Sequence, residues 1–350
     1  MKKLLVYLDQ SYLSTMVKED LSLTPSHNDA LGKAMKELLR LLMKLVDQDK
    51  VICPRSPTHE DETGQDNRLE VRIYHILNEL SDRVSFHVTP SIGHRQTTRA
   101  LRRYLGIPTD PEDGRWEHAF ASDPHQPIDR PRIYVHVSRP EAFARDLRRR
   151  KNLIQANQQR HFPHQRHPSD TFARYRHDQL VGVARLFYAD PFLNYYQRSF
   201  EVATGVVSPP QITPTASEDE IVDFLNQELP PPAVELVEEY VALTGSSWLN
   251  PGGRYWEFFT SPYFETVPFW DIYTSIQAGL FFYKPNRRPK PSDHFDMAAL
   301  ATALPYVDIV TTDAIMKEML GRLGLDQKYK VEVYSSRLED VEALFERLSL

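Results

Sequence analysis

The two ends of this 350-residue chain share one alternation of apolar strand and amphipathic helix, and about two hundred residues of different texture separate them. That pairing constrains the fold more than any other feature. Near the N-terminus, Lys3-Leu4-Leu5-Val6-Tyr7-Leu8 is a near-continuous apolar run of the kind buried on both faces of a parallel sheet. The stretch Ala30–Val46 follows, with Leu31, Met35, Leu38, Leu39, Leu42 and Leu45 at helical spacing. Lys50–Cys53 predicts a short strand stopped by Pro54, and Leu69, Ile73, Ile76, Leu77 and Leu80 mark a second amphipathic helix. Val84–Val88 then alternates as a third strand.

The C-terminal part resumes this order. It predicts a helix over Asp293–Leu304, a strand over Val307–Thr311, a helix over Ala314–Leu323 stopped by Gly324, a strand over Lys330–Tyr334 and a final helix from Leu338. The expectation is an α/β fold with a doubly wound parallel sheet, assembled as one discontinuous domain from residues 1–95 and 285–350. Residues 96–284 are rich in Arg, His, aromatics and proline. Helical patterns there cover Thr97–Leu105, Glu141–Gln155, Thr171–Phe187, Glu218–Glu228 and Ala233–Leu243, with one extra strand at Ile133–Val137. Proline-rich breaks fall at Val207–Pro214 and Leu229–Pro232, so this middle part reads as a mostly α-helical insertion.

Four carboxylates carry the chemistry. Asp9 closes the first apolar run, and Asp313 closes Tyr306-Val307-Asp308-Ile309-Val310-Thr311-Thr312. In an open parallel sheet, ligands collect outside the carboxyl ends of the strands, where the strand order reverses. Either residue alone reads as a helix N-cap, a role Asp favours. Asp296 sits in the apolar stretch Phe295–Leu304, where a buried charge is costly unless it is paired or metal-bound. Stepping back from Ile73 and Leu69 at helical intervals reaches Asp66 and Glu62, so Glu62 is expected to face the interior, with His59 one turn before it. Glu60 and Asp61 read as solvated surface. Such a set of oxygen donors suits Mg²⁺ or Mn²⁺.

These residues resemble the PIN-domain ribonuclease superfamily. There an Asp ends the first strand, a Glu follows the second, and an Asp on a helix precedes a strand ending in Thr-Asp. Leu4-Leu5-Val6-Tyr7-Leu8-Asp9 matches the first element, and Asp296 to Ala303 followed by Val307 to Asp313 matches the last two. The resemblance implies a PIN-like sheet of about five strands and a metal-dependent endoribonuclease acting on single-stranded RNA. It assigns catalysis and metal binding to Asp9, Glu62, Asp296 and Asp313, with Mg²⁺ or Mn²⁺ as cofactor. Asp293 and Asp308 are candidate auxiliary groups; a helix start and a strand edge explain them equally well. Since some members are inactive, the alternative is a non-catalytic PIN-like module that binds RNA or protein.

Charge distribution fits a nucleic-acid partner better than the overall balance does. The net charge is −6, but His94–Arg176 carries 17 Lys+Arg against 9 Asp+Glu, a balance of +8 within a remainder of −14. Arg102-Arg103, Arg148-Arg149-Arg150-Lys151, Arg174 and Arg176 are candidates for a phosphate backbone, or for solvated helix faces and ion pairs. Tyr104, Phe143, Phe172, Tyr175 and Phe187 read as packing of the insertion rather than stacking platforms. A regulatory protein or a second copy of the chain is a further expected partner. His161, His164 and His167 read as a polar loop, because the intervening proline and nearby arginines do not suit a structural zinc site. Glycine is scarce and no Gly-rich phosphate loop occurs, which argues against nucleotide cofactors. The single cysteine, Cys53, excludes an internal disulfide and fits a reducing compartment. The first apolar run is too short for a signal peptide, and no stretch has the length to span a bilayer. A cytoplasmic protein with no membrane partner is the expectation.

Overall fold

The computed structural model describes residues 2–20, 29–57, 59, 67–109, 119–125, 171–203, 232–247, 251–288 and 290–350. In chain order the elements are β1 (Leu4–Tyr7), α1 (Gln10–Asp20), α2 (Asp29–Asp47), β2 (Val51–Ile52), α3 (Asn67–Ser81) and α4 (Thr89–Tyr104). The middle part adds α5 (Phe172–Ala184), which runs through a π-turn at Arg185–Ala189 into α6 (Asp190–Ala203), then α7 (Pro232–Thr244). Next come α8 (Gly253–Phe258), α9 (Pro262–Glu265), α10 (Pro268–Tyr283) and α11 (Pro291–Ala303). The chain closes with β3 (Ile309–Thr312), α12 (Ala314–Leu323), α13 (Leu325–Tyr329), β4 (Glu332–Ser335) and α14 (Leu338–Ser349).

The four strands form one all-parallel sheet in the order β2-β1-β3-β4. The two remote ends of the chain therefore meet at its centre, where Val6 pairs with Ile309 and Tyr7 with Val310. Side chains alternate between the faces with period two. Leu5, Tyr7 and Val310 enter one core; Val6, Leu8 and Ile309 enter the other. The second core is covered by α1, α2, α3 and α14, through residues such as Leu13, Met35, Leu42, Ile76 and Leu344. The first core gathers α4, α10, α11 and α12, and continues without interruption into Tyr188, Phe258 and Phe264 of the middle region. Helices on both faces make the sheet doubly wound, and the order reverses between β1 and β3.

The expected sheet of about five strands is corrected to four among the described residues. Val84–Val88 contributes only isolated bridges, Ser85 to Arg55 and Phe86 to Phe120. Beside Pro54, the Arg55 N–H donates to the Val84 carbonyl and the Phe86 N–H to the Arg55 carbonyl, a single link rather than a ladder. Asp82 and Arg83, both at positive φ, turn the chain sharply just before Val84. The expected strand Ile133–Val137 and the expected helices Glu141–Gln155 and Glu218–Glu228 lie outside the described residues. Among the described residues, no helix is long and apolar enough to cross a membrane.

Helix α10 anchors the middle region. It is buried along nearly its whole length, from Phe269 to Phe281, and packs on α4, α5, α11 and α12. Gly279 permits the approach to α12: a Cβ there would lie 3.1 Å from Leu323 Cδ1.

Candidate metal site at the carboxyl end of the sheet

Asp9 follows β1 directly, and Asp313 follows β3, so parallel pairing of these strands brings both to the same end of the sheet. The Asp9 backbone N–H donates to Thr311 Oγ1 at 2.9 Å, which ties the two strand ends together. Each carboxylate also caps a helix. Asp9 Oδ2 accepts from Ser11 Oγ at 2.5 Å and from the Ser11 N–H at 3.4 Å; Asp313 Oδ1 accepts from the Met316 N–H at 2.7 Å. Capping thus fixes both side chains rather than competing with a further role. Burial holds the Asp9 carboxyl above the usual range; hydrogen bonds from Ser11 and Gln10 oppose this, and the Asp313 charge adds to it. A cation between the two would relieve that penalty.

The loop after β2 is bolted to the same strand end. His59 is buried; its Nε2–H donates to the Leu8 carbonyl at 2.6 Å, and its Nδ1 accepts from the Ser56 N–H at 3.2 Å. Those partners specify the neutral Nε2–H tautomer. The ring stacks on Tyr7 with centroids 5.1 Å apart, and the Tyr7 hydroxyl meets Ser56 Oγ at 3.1 Å. Desolvation accordingly lowers the His59 pKa to about 4. Glu62 itself lies outside the described residues.

Asp296 is half-buried on α11, not enclosed as the apolar stretch implied, because the buried face of this helix runs through Met297, Leu300, Ala301 and Leu304. One turn earlier, Asp293 is buried and forked by Arg287, whose Nη1 and Nη2 donate to its two carboxylate oxygens at 2.5 Å each. It also accepts from the Lys290 N–H at 2.8 Å, completing the cap of α11. Asp296 and Asp313 both lie near enough to Arg287 to reinforce its charge. Asp308, the other auxiliary candidate, stands at the opposite end of β3. There it accepts from the Leu5 N–H at 2.9 Å and pairs with Lys2 at 3.5 Å.

Beyond Asp313, Lys317 Nζ pairs with Asp340 Oδ1 at 2.6 Å, and the other Asp340 oxygen accepts from the Ser335 N–H at 2.9 Å. Burial works against this charge, but the Lys317 and Ser335 hydrogen bonds hold Asp340 below the usual carboxylate range. The Tyr12 hydroxyl donates to the Ser335 carbonyl and feels both Asp340 and Asp9. Sequence reasoning had singled out neither this cluster nor Arg287.

Strand pairing therefore brings Asp9 and Asp313 to the same end of the sheet, and Arg287 feels the charges of both Asp313 and Asp296. Among the described residues, no three His, Cys, Asp or Glu side chains are grouped closely enough to hold a metal ion. The pair nevertheless fits a hard cation by donor chemistry. Mg²⁺ in particular commonly takes only one or two protein carboxylates, completing its shell with water and substrate phosphate.

Two of the arginine candidates of the middle region form ion pairs, and four of its aromatic candidates contact other rings. Arg102 pairs with Glu239 at 2.7 Å and Arg176 with Asp271 at 2.7 Å. Phe172 stacks on Tyr283, Tyr175 contacts Phe281, Tyr104 contacts Phe258, and Phe187 lies against Trp270. Cys53 is buried, and desolvation raises its thiol pKa, as expected of a structural strand-end residue. Arg148–Lys151, Phe143 and the three histidines at 161, 164 and 167 lie outside the described residues. Comparison of the chain with protein-family models, curated proteins and solved structures finds no match.

Proposed function

We propose that the chain is a metal-dependent endoribonuclease that cleaves single-stranded RNA at the carboxyl end of β1 and β3. The observation that carries this reading is the pairing of Asp9 and Asp313 at the point where strand order reverses, with the Asp9 carboxyl raised by burial and by its neighbour. The likeness of the terminal motifs to PIN nucleases supports the same substrate class.

In this reading Asp9 and Asp313 would hold Mg²⁺ or Mn²⁺, and Asp296 and Glu62 would be the further candidate carboxylates. A bound ion would supply Lewis acidity for attack of water on an RNA phosphodiester. Ser11 and Thr311 orient Asp9, and the Met316 N–H orients Asp313, so both oxygens are preset before substrate arrives. The His59 clamp on the Leu8 carbonyl keeps the β2 loop against the same strand end.

A single-stranded RNA oligonucleotide with Mn²⁺ tests the reading, using wild type and Asp296→Asn. Cleavage that needs Mn²⁺ and disappears in the variant supports it; equal cleavage by both removes Asp296 from the machinery. The second reading, an RNA- or protein-binding module without turnover, draws on the Arg287–Asp293 pair and on the lack of a three-carboxylate group among the described residues. It predicts RNA binding with neither cleavage nor a Mn²⁺-dependent rise in Tm.

A further inference from the structure

Helix α5, its π-turn and the start of α6 bury Leu180, Val183, Ala184, Tyr188 and Phe192 in the first core. Their opposite side leaves Val181, Leu186 and Leu193 exposed to 41%, 55% and 53%. Gly182 stands on that side, exposed and inside the continuous helical run from Phe172 to Ala203. A glycine weakens a helix interior and belongs where φ is positive or where another backbone comes close. Gly182 does not adopt a positive φ, and a Cβ on it would meet nothing within 4 Å. Neither a turn nor packing within the chain therefore calls for it, whereas close approach from outside does. Charges alternate along the same side as Arg174, Asp178, Arg185 and Asp190. The wider π-turn at Arg185–Ala189 returns Asp190 to this face. Arg174 and Asp190 stand at equal separations on either side of Gly182, and Asp178 and Arg185 nearly so. Read from the other end, the plus-minus-plus-minus order is its own complement. The Arg185–Asp190 pair within the chain, 3.3 Å apart and solvent-exposed, contributes little and can exchange partners.

We propose that this face is a self-association surface, on which a second copy of the chain lays the same helix antiparallel across a two-fold axis beside Gly182. A two-fold contact sets one patch against itself, so each pairing occurs twice. Asp178 faces Arg185 of the second copy, and Arg174 faces its Asp190. Val181 and Leu186 lie between these pairs, and Gly182 lets the two backbones approach. A parallel copy would set like charge against like, so the charge order selects the antiparallel arrangement. The inference involves neither the acidic end of the sheet nor a metal.

Sedimentation velocity over a wide concentration range tests this on the full chain, with a melting curve for each protein. Wild type is expected to self-associate reversibly, and less strongly at high salt. Asp178→Lys and Arg185→Glu each set like charges face to face, and each alone is expected to weaken association about tenfold or more. Mixing these two variants restores opposite charges at both contacts and is expected to recover association to within about threefold of wild type. Gly182→Gln fills the space between the backbones and is expected to weaken association about tenfold or more. Its Tm should hold or rise, because glutamine is the better helix former. Wild type that stays monomeric throughout would overturn the proposal, including where single-stranded RNA or another protein takes the face instead. Single charge variants that associate like wild type, or a mixture that remains monomeric, would overturn it as well.

Discussion

Asp271 and Asp9 are both aspartates at helix starts, yet their surroundings differ in kind. Asp271, in the first turn of α10, receives Arg176 Nη2, Lys328 Nζ and the Tyr329 hydroxyl, each at 2.7 Å. Those donors come from α5 and α13, and Arg176 also reaches Ser275 Oγ and the Glu265 carbonyl. Burial and the adjacent Asp271 carboxylate push the Tyr329 pKa up, so its hydroxyl stays a donor. Asp9 draws its side-chain donors from the start of α1, and its nearest charged influence is another carboxylate. A charge saturated by donors from several elements fastens a fold together. A charge set beside a like charge is what the proposed ligand role calls for. The contrast separates a structural aspartate from a candidate ligand without recourse to motif.

The largest expected effect is on the saturated side. Asp271→Ala should cost about 3 kcal/mol in urea unfolding, since Arg176, Lys328 and Tyr329 all lose their common acceptor. The half-exposed Lys328 keeps this at the lower end of the usual range for broken buried pairs. A loss below about 1 kcal/mol would erase the distinction.

The next effect concerns the clamp on β1. His59 titrates near 6.5 when unfolded and near 4 when folded. Between those values the unfolded state binds the extra proton, so stability is full above about pH 6.5 and falls as the pH drops toward 4. The loss approaches about 3 kcal/mol at most. Wild type should lose stability relative to His59→Gln across this window, because glutamine cannot take up the proton. A stability difference that stays constant with pH would show that His59 is not held neutral.

The smallest effect separates capping from ligation at one residue. Asp313→Asn keeps a side-chain acceptor for the Met316 N–H and should stay within a few tenths of a kcal/mol of wild type, whereas Asp313→Ala should lose about 1 kcal/mol. Both variants should abolish the rise in Tm caused by Mn²⁺. A rise retained in Asp313→Asn would reduce Asp313 to a cap.

Much of the terminal architecture was legible because strong local signals agree there. The Ala314–Leu323 helix forms with the expected bounds, and Gly324 closes it at φ 64°. Asp9 and Asp313 were identifiable as carboxylates ending apolar runs, and strand pairing then placed them together. What the local pattern concealed was pairing at a distance. Asp296, in the apolar stretch Phe295–Leu304, is half-buried, whereas Asp271 is the fully buried carboxylate of an apolar helix. Helix α10 is apolar on nearly every face, so it shows no amphipathic period, and its one buried carboxylate drew no notice. Arg287 sits in a turn, and nothing in its neighbourhood foretells the fork on Asp293. Val84–Val88 makes only isolated bridges after the turn at Asp82–Arg83, whose backbone conformation the alternation of Val84–Val88 does not reveal.

The central claim is that a cation sits between the ends of β1 and β3. Anomalous diffraction from crystals grown with Mn²⁺ tests it most directly. A peak about 2.1 Å from carboxylate oxygens of both Asp9 and Asp313 is the predicted result. Clear density for both side chains with no peak between them, or with the Arg287 guanidinium seated there instead, would contradict it.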